Sequence, residues 1–437
     1  MRTTKTFEIE NSNDFQHRLL AWAQQFREVV FLDSNSEFNQ NQKYKSFDFA
    51  MAADAFTSIE TDFENAFEGL KQYQQTTRDW IFGYLGFDLK NDLEKLESNN
   101  FDGLGFSDLY FFQPKKLFIF RNNTLEISYL RMCDDEIGDD VREILDFKLQ
   151  DFDFVEKNNI EIQERVSREV YIQKVEQIIN YIQKGNIYEM NFCIEFYAQD
   201  AAINPIQKYL KLNEISRAPF ACFFKKNQHF LISASPERYL KKIDDLIISQ
   251  PIKGTSARFE DIEQDNLSIL TLQNDAKERS ENIMISDLVR NDLSRTAKKG
   301  TVSVEELCGL YSFLQVHQLI TTVTSELNKE FSALDALKTT FPMGSMTGAP
   351  KVSAMQIIEN QEETKRGLYS GAVGYFTPEA DFDFNVVIRT ILYNQKQKYL
   401  SFSVGSAITS LSNPEKEYEE CLLKAKAMQQ VLNCAGH

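Results

Sequence analysis

After residue 165, short apolar runs alternate with amphipathic helical segments, and this alternation confines the chain to folds in which helices cover strand pairs. The runs Phe192 to Tyr197, Phe220 to Phe224 and Phe230 to Ala234 have the length and composition of strands. Between Ser167 and Gly185, the residues Tyr171, Val175, Ile178, Ile179 and Ile182 share one face, so Ser167 reads as a helix cap and Gly185 as its stop. Asp275 to Lys298 and Pro414 to Leu432 read as two longer helices. The pattern predicts a large α+β sandwich.

Up to about residue 155 the chain is Phe-rich and less regular. Val29 to Leu32 and Leu117 to Phe120 read as strands, and Trp80 to Asp88 is an aromatic-glycine segment suited to close backbone packing. At 437 residues the chain exceeds the size at which one compact core stops growing. Two domains or one large layered domain are therefore expected, with a β-rich region 1–160 that contributes to the sandwich and a region 161–437 that carries the sharper motifs. The acidic stretch Asp134 to Asp140 and the polar run Glu156-Lys157-Asn158-Asn159 are the expected linker positions. The net charge of −17 argues against a nucleic-acid or anionic-membrane partner, so an anionic substrate would need a locally basic site. Six cysteines without a CxxC pair read as reduced thiols. The N-terminus lacks an apolar h-region and no run approaches a membrane span, so a cytoplasmic location is expected.

Several segments carry candidate chemistry. In Pro251-Ile252-Lys253-Gly254-Thr255 a lysine abuts a glycine-threonine turn after a strand-like run. It is either a solvated turn lysine or a nucleophile, and freeing its lone pair at neutral pH costs about 4–5 kcal/mol unless burial or a cationic neighbour lowers that cost. Glu278 and Glu281 lie three apart on a helix face that Ile285 and Leu288 continue, although Asp275 as cap with Glu278 as its box partner would also account for them. On the last helix, Glu417, Glu420 and Lys424 look one way. These are a solvated charged face, or the four carboxylates hold a divalent ion, for which all-oxygen ligation favours Mg²⁺.

Phe341 to Lys351 packs two glycines, two hydroxyls and a lysine before a helix, where backbone N–H groups could meet an anion. It does not fit GxxxxGK[ST], which argues against a nucleoside triphosphate. Ser403-Val404-Gly405-Ser406-Ala407-Ile408 is small enough for backbone to approach a carboxylate, and a plain tight turn accounts for it equally well. His317, in an apolar strand, reads as a core residue or a catalyst. No zinc spacing or hydrolase elbow is present.

In this order, the segments resemble the chorismate-utilising enzymes, which include the first components of anthranilate synthase and aminodeoxychorismate synthase and the isochorismate and salicylate synthases. GNIYEMNF at 185–192, SPER at 235–238, PIKGT at 251–255, ENIMISDLVRND at 281–292, TGAPK at 347–351, GAVGY at 371–375, VVIRT at 386–390 and the final glutamate-rich helix carry the likeness. FGYLGFD at 82–88 carries it more loosely. The resemblance implies an α+β fold, a large layered sandwich of two mainly antiparallel β-sheets flanked by helices. It also implies that Glu281 and Glu420 ligate Mg²⁺, with Glu278 and Glu417 beside them. Arg389, Tyr375 and Lys424 would hold chorismate carboxylates, as would backbone amides around Gly405 and Ser406. Glu237 would be the general acid for departure of the C4 hydroxyl, with Thr255 and His317 as active-site neighbours.

Within that family Lys253 discriminates. Anthranilate synthases carry alanine there, whereas a lysine implies covalent addition at ring C2, attack of ammonia at C4 and formation of 4-amino-4-deoxychorismate, the precursor of p-aminobenzoate and folate. Anthranilate formation is the alternative. The hydrolytic members use a lysine in the segment that here reads Tyr188-Glu189-Met190-Asn191, which has none. Glu189 stands where amine-using relatives have glutamine, Asn282 where many have histidine, Ala257 where proline is common, and Ala407 where a further glycine is frequent. The resemblance further implies a separate glutaminase subunit that supplies ammonia.

Overall fold

The computed structural model describes residues 2–9, 11–39, 42–148 and 160–433. Its strands form one hydrogen-bonded network, folded into two layers whose ladders are all antiparallel. The first layer runs in space from Arg2–Glu8 through Thr124–Leu130, Leu109–Arg121, Phe49–Thr61, Glu28–Asp33, Phe220–Lys226, His229–Ser235, Thr390–Asn394 and Tyr399–Ile408 to Glu189–Ala198. The second runs from Leu109–Arg121 through Ile81–Leu85, Ala372–Phe376, Phe382–Asn385, Arg238–Ile243 and Leu246–Gln250 to Val316–Glu326, which also pairs with Ile252–Ala257 and Ser303–Ser312. This is the expected two-sheet sandwich.

Leu109–Arg121 belongs to both layers, and its sequence explains how. Its first residues pair with Ile81–Leu85 and its last with Thr124–Leu130. Pro114, which has no N–H to give a ladder, sits at the change, where the register against Phe49–Thr61 slips between Ala55 and Thr57. In Ile81–Leu85, a Cβ at Gly83 would lie 2.0 Å from the Tyr110 carbonyl oxygen, so the glycine lets these strands approach. The inner faces meet where Phe224 packs against Tyr84 and Tyr110, at ring-centroid distances of 5.4 and 6.3 Å.

Helices cover the outer faces where their apolar stripes dictate. Arg168–Gln183, capped by Ser167, buries Tyr171, Val175 and Ile178 in the core that also takes Cys421, Ala425 and Met428 of Pro414–Asn433. Ala276–Ser294 turns Ile285, Val289 and Leu293 to the other core. Its cap is Asp275, whose carboxylate accepts from the Lys277 and Glu278 amides. Asn413 caps the last helix, and Pro414 occupies its first position.

The described residues before 149 share the sandwich with those that follow. Glu28–Asp33 pairs with Phe220–Lys226, and Ile81–Leu85 with Ala372–Phe376, so the N-terminal strands are interleaved with later ones. The acidic stretch read as a linker is instead a 3₁₀ turn, Asp134–Glu136, followed by the start of the helix Ile137–Asp146, in which Asp140 pairs with Lys116. The polar run Glu156 to Asn159 lies outside the described residues. The five described cysteines are buried and free, and no described helix is long and apolar enough to cross a membrane.

Candidate active site

Lys253 is aimed inward by an irregularity of its strand. Ile252–Ala257 pairs with Val316–Glu326, but the register slips between Ile252 and Thr255, and Gly254 takes a φ of +93° that suits only glycine. Asn282 fixes the kink by donating to the Lys253 carbonyl at 3.1 Å and the Leu319 carbonyl at 3.0 Å. The Lys253 side chain is 10% exposed, and its Nζ donates to Glu189 Oε1 at 2.8 Å. The sequence leaves open a solvated turn lysine or a nucleophile whose amine burial or a cationic neighbour would free; in the structure the lysine is buried among anionic neighbours. Burial alone would push the lysine down, but the charges of Glu189 and Glu281 outweigh it and hold Lys253 above its ordinary value. At rest it is an ammonium.

Glu237 lies in the bend between His229–Ser235 and Arg238–Ile243, with its carbonyl accepting from the Val386 amide at 3.0 Å. Burial pushes its carboxyl up to about 7 against the opposing pull of Ser345, Lys253 and the Ile252 amide. A carboxyl that keeps its proton near neutrality can serve as a general acid.

The two acidic helix faces meet across the same space. Burial also pushes Glu281 up to about 7, with the Lys253 charge opposing. Lys277 Nζ sits 3.7 Å from Glu281 Oε1 and 3.3 Å from Glu417 Oε1. Burial would raise Glu420, but Lys424, at 2.6 Å, outweighs it and holds that carboxyl below its usual range. Glu281 Oε1 and Glu417 Oε2 are buried without a hydrogen-bond partner, the condition a cation would relieve. Among the described residues, no three carboxylate, imidazole or thiol groups converge into a complete metal cage. The donor set fits Mg²⁺ held by one or two carboxylates, with the remaining positions left to water and substrate oxygens.

Opposite, Arg389 adopts a φ of +53° and donates to the Lys424 carbonyl at 3.2 Å, while Lys424 Nζ donates to the Gly405 carbonyl at 2.8 Å. The segment read as a turn, Ser403 to Ile408, is the end of the strand Tyr399–Ile408. A Cβ at Gly405 would stand 2.5 Å from Asn191 Oδ1 and from Cys193 Sγ, so a glycine is required for strand contact as well as for an open wall.

Glu237, Lys253, Thr255, Glu278, Glu281, Arg389, Gly405, Glu420 and Lys424 therefore line one cavity of about 580 Å³. Four sequence candidates do not line it. Glu417 stands behind Lys277. The Ser406 hydroxyl turns to Tyr171, at 3.2 Å, because successive strand residues face opposite ways. For the same reason Val316 and Gln318 reach the cavity and His317 does not; its Nε2 lies 2.9 Å from Asp265 and its Nδ1 2.7 Å from Ser312. Tyr375 packs among Phe47, Trp80 and Phe82 beside a different, smaller cavity. Lys351 of the glycine-rich segment is held by Asp292 and the Thr340 carbonyl, although Ser345 and Met346 reach the site.

Sequence reasoning missed Lys277 and Tyr369, which line the cavity, and the partner role of Glu189. The i,i+4 spacing of Lys277 to Glu281 was an available signal. Tyr369 sits on a turn and gave none.

A model of chorismate binding enzymes matches residues 13–430. The chain is 33% identical to the chloroplastic aminodeoxychorismate synthase of Arabidopsis thaliana over 82% of its own length and 41% of that relative, so it spans less than half of the plant protein. It is 32% identical to aminodeoxychorismate synthase component 1 of Bacillus subtilis, over 80% of this chain and 76% of that one. The fold matches anthranilate synthase component I of Streptococcus pneumoniae with a TM-score of 0.78 at 23% identity, over 86% of this chain and 91% of that one. With the family model covering nearly the whole sequence, and a bacterial relative matched over most of both chains, this chain belongs to the chorismate binding enzyme family.

Proposed function

We propose that the chain aminates chorismate at C4, forming 4-amino-4-deoxychorismate through a covalent Lys253 intermediate. The observation that carries this reading is that Lys253 and the protonatable Glu237 open onto one cavity with Glu281 and Glu420. The names of the plant and bacterial relatives support it.

In this reading Arg389 and Lys424 pair with one substrate carboxylate. Glu281 and Glu420 would hold Mg²⁺, which when bound would supply positive charge for the other. Of the four carboxyl groups that line the cavity, Glu281 and Glu420 are the pair that would hold such a cation beside the substrate. Glu237 gives its proton to the departing C4 hydroxyl, the Lys253 amine bonds to C2, and ammonia at C4 then displaces the lysine. Tyr369 lies on the Arg389 side and is positioned to take the substrate contact expected of Tyr375. The "component 1" in the bacterial relative's name supports a separate partner, for which we propose a glutaminase that supplies ammonia in the cytoplasm.

The test is product analysis with the purified chain, chorismate, Mg²⁺ and an ammonium salt. Aminodeoxychorismate is expected. Fluorescent anthranilate would replace this reading with its alternative, and tight binding of chorismate without turnover would make the chain a binding protein.

A further inference from the structure

The resting state of Lys253 poses a chemical problem. An ammonium has no lone pair, so a nucleophilic Lys253 must first hand a proton to a group within reach. Glu237 does not serve, because it enters the reaction as the acid. Glu281 contributes charge at Lys253 but is not ion-paired to it.

Glu189 is. Its carboxylate is 1% exposed, and Oε1 accepts from Lys253 Nζ at 2.8 Å. Oε2 is buried without any hydrogen-bond partner. Two packing features hold the carboxylate there. Its strand pairs with Gly348–Ala349, where a Cβ at Gly348 would come within 2.2 Å of the Glu189 carbonyl oxygen, and the Tyr188 amide donates to the Ala349 carbonyl at 2.7 Å. Glu189 does not line the cavity, whereas Lys253, which is hydrogen-bonded to it, does. Passing one proton from Nζ to Oε1 converts two buried charges into a neutral amine and a neutral acid, and the hydrogen bond between them is kept.

We propose that Glu189 is a catalytic residue, the proton acceptor that turns Lys253 from an ammonium into a nucleophile and returns the proton when the lysine leaves. The proposal rests on the covalent-lysine reading above. Protons and electrons balance as follows. Lys253 gives H⁺ to Glu189. The Nζ lone pair forms the bond to C2, the ring π electrons shift, and the C4–O bond breaks with Glu237 protonating the hydroxyl, which leaves as water. Lys253 is then a secondary ammonium. The ammonia lone pair bonds to C4, the π electrons shift back, and the C2–N bond breaks to release neutral Lys253. The new C4 ammonium reprotonates Glu237, and Glu189 returns its proton to Lys253. The net change is chorismate plus ammonia to amino product plus water.

The experiment compares full-length wild type with Glu189→Gln, which preserves shape but cannot take the proton, by rapid quench and intact-protein mass spectrometry with chorismate and Mg²⁺ in the absence of ammonia. Wild type is expected to form the adduct at a rate whose pH dependence between pH 6 and 8 is only the loss of the Glu237 proton near pH 7, because the Lys253 proton moves internally. Glu189→Gln is expected to be roughly 100-fold slower than wild type at pH 7, and the gap is expected to narrow about tenfold per pH unit as solvent takes the proton instead. Equal or faster adduct formation in Glu189→Gln would overturn the proposal. So would a loss that is the same at every pH, which marks a packing role. Absence of any adduct in wild type would instead refute the covalent-lysine reading, so the two failures are distinguishable.

Discussion

Glu237→Gln tests the geometry of the acid in two independent ways. The carboxyl moves from an ordinary value of 4.5 to about 7 because it is buried, which corresponds to about 3 kcal/mol of preference for the protonated form. The folded state thus binds this proton more tightly than the unfolded state. Its contribution to stability is fully present below 4.5 and is lost as pH rises through about 7. Glutamine mimics the protonated acid and carries no such penalty, so the variant should be more stable than wild type at pH 8, by up to about 3 kcal/mol, and indistinguishable from it at pH 4.5. Urea denaturation at the two pH values reads this difference. Catalysis should move the opposite way. Losing a general acid lowers kcat about 10²–10⁴-fold, and the alkaline limb that wild-type kcat/KM shows near pH 7 should disappear. A variant with near wild-type activity, or one that is less stable than wild type at pH 8, would refute the assignment of Glu237 as a buried, protonated acid.

Gly405→Ala should destabilise the fold by about 1–3 kcal/mol, read as a lower urea midpoint, because its Cβ would stand 2.5 Å from Asn191 Oδ1 and Cys193 Sγ. If Mg²⁺ binds as proposed, Glu281→Gln should weaken its binding roughly tenfold or more by titration calorimetry, because a hard cation would lose one of two carboxylates. Tyr375→Phe should leave kcat/KM within about twofold, whereas Tyr369→Phe should raise KM, as the tyrosine that lines the cavity is Tyr369.

What could be read from the sequence was what short stretches of chain decide for themselves. Ser167, Asp275 and Asn413 mark helix starts because a cap bonds to amides two or three residues away. The pairing of Glu281 with the last helix was legible because both acidic faces follow helical spacing. The state of Lys253 was not, since its partner Glu189 lies 64 residues away and only the fold brings them together. The directions of the His317 and Ser406 side chains were hidden for a different reason. Which side of a strand faces a cavity depends on register with distant strands, and a one-residue difference sends a side chain to the opposite face. Ser403 to Ile408 looked like a turn because its residues are small. In the structure that smallness serves close pairing with Glu189–Ala198.

The central claim is that Lys253 forms a bond to the substrate. Peptide mass spectrometry after acid quench of the protein with chorismate and Mg²⁺, without ammonia, tests it most directly. A mass increase of chorismate less water is expected on the peptide that contains Lys253, absent from Lys253→Ala and discharged in wild type by added ammonium. An unmodified Lys253 in wild type, or a Lys253→Ala protein that aminates C4 at the wild-type rate, would contradict it.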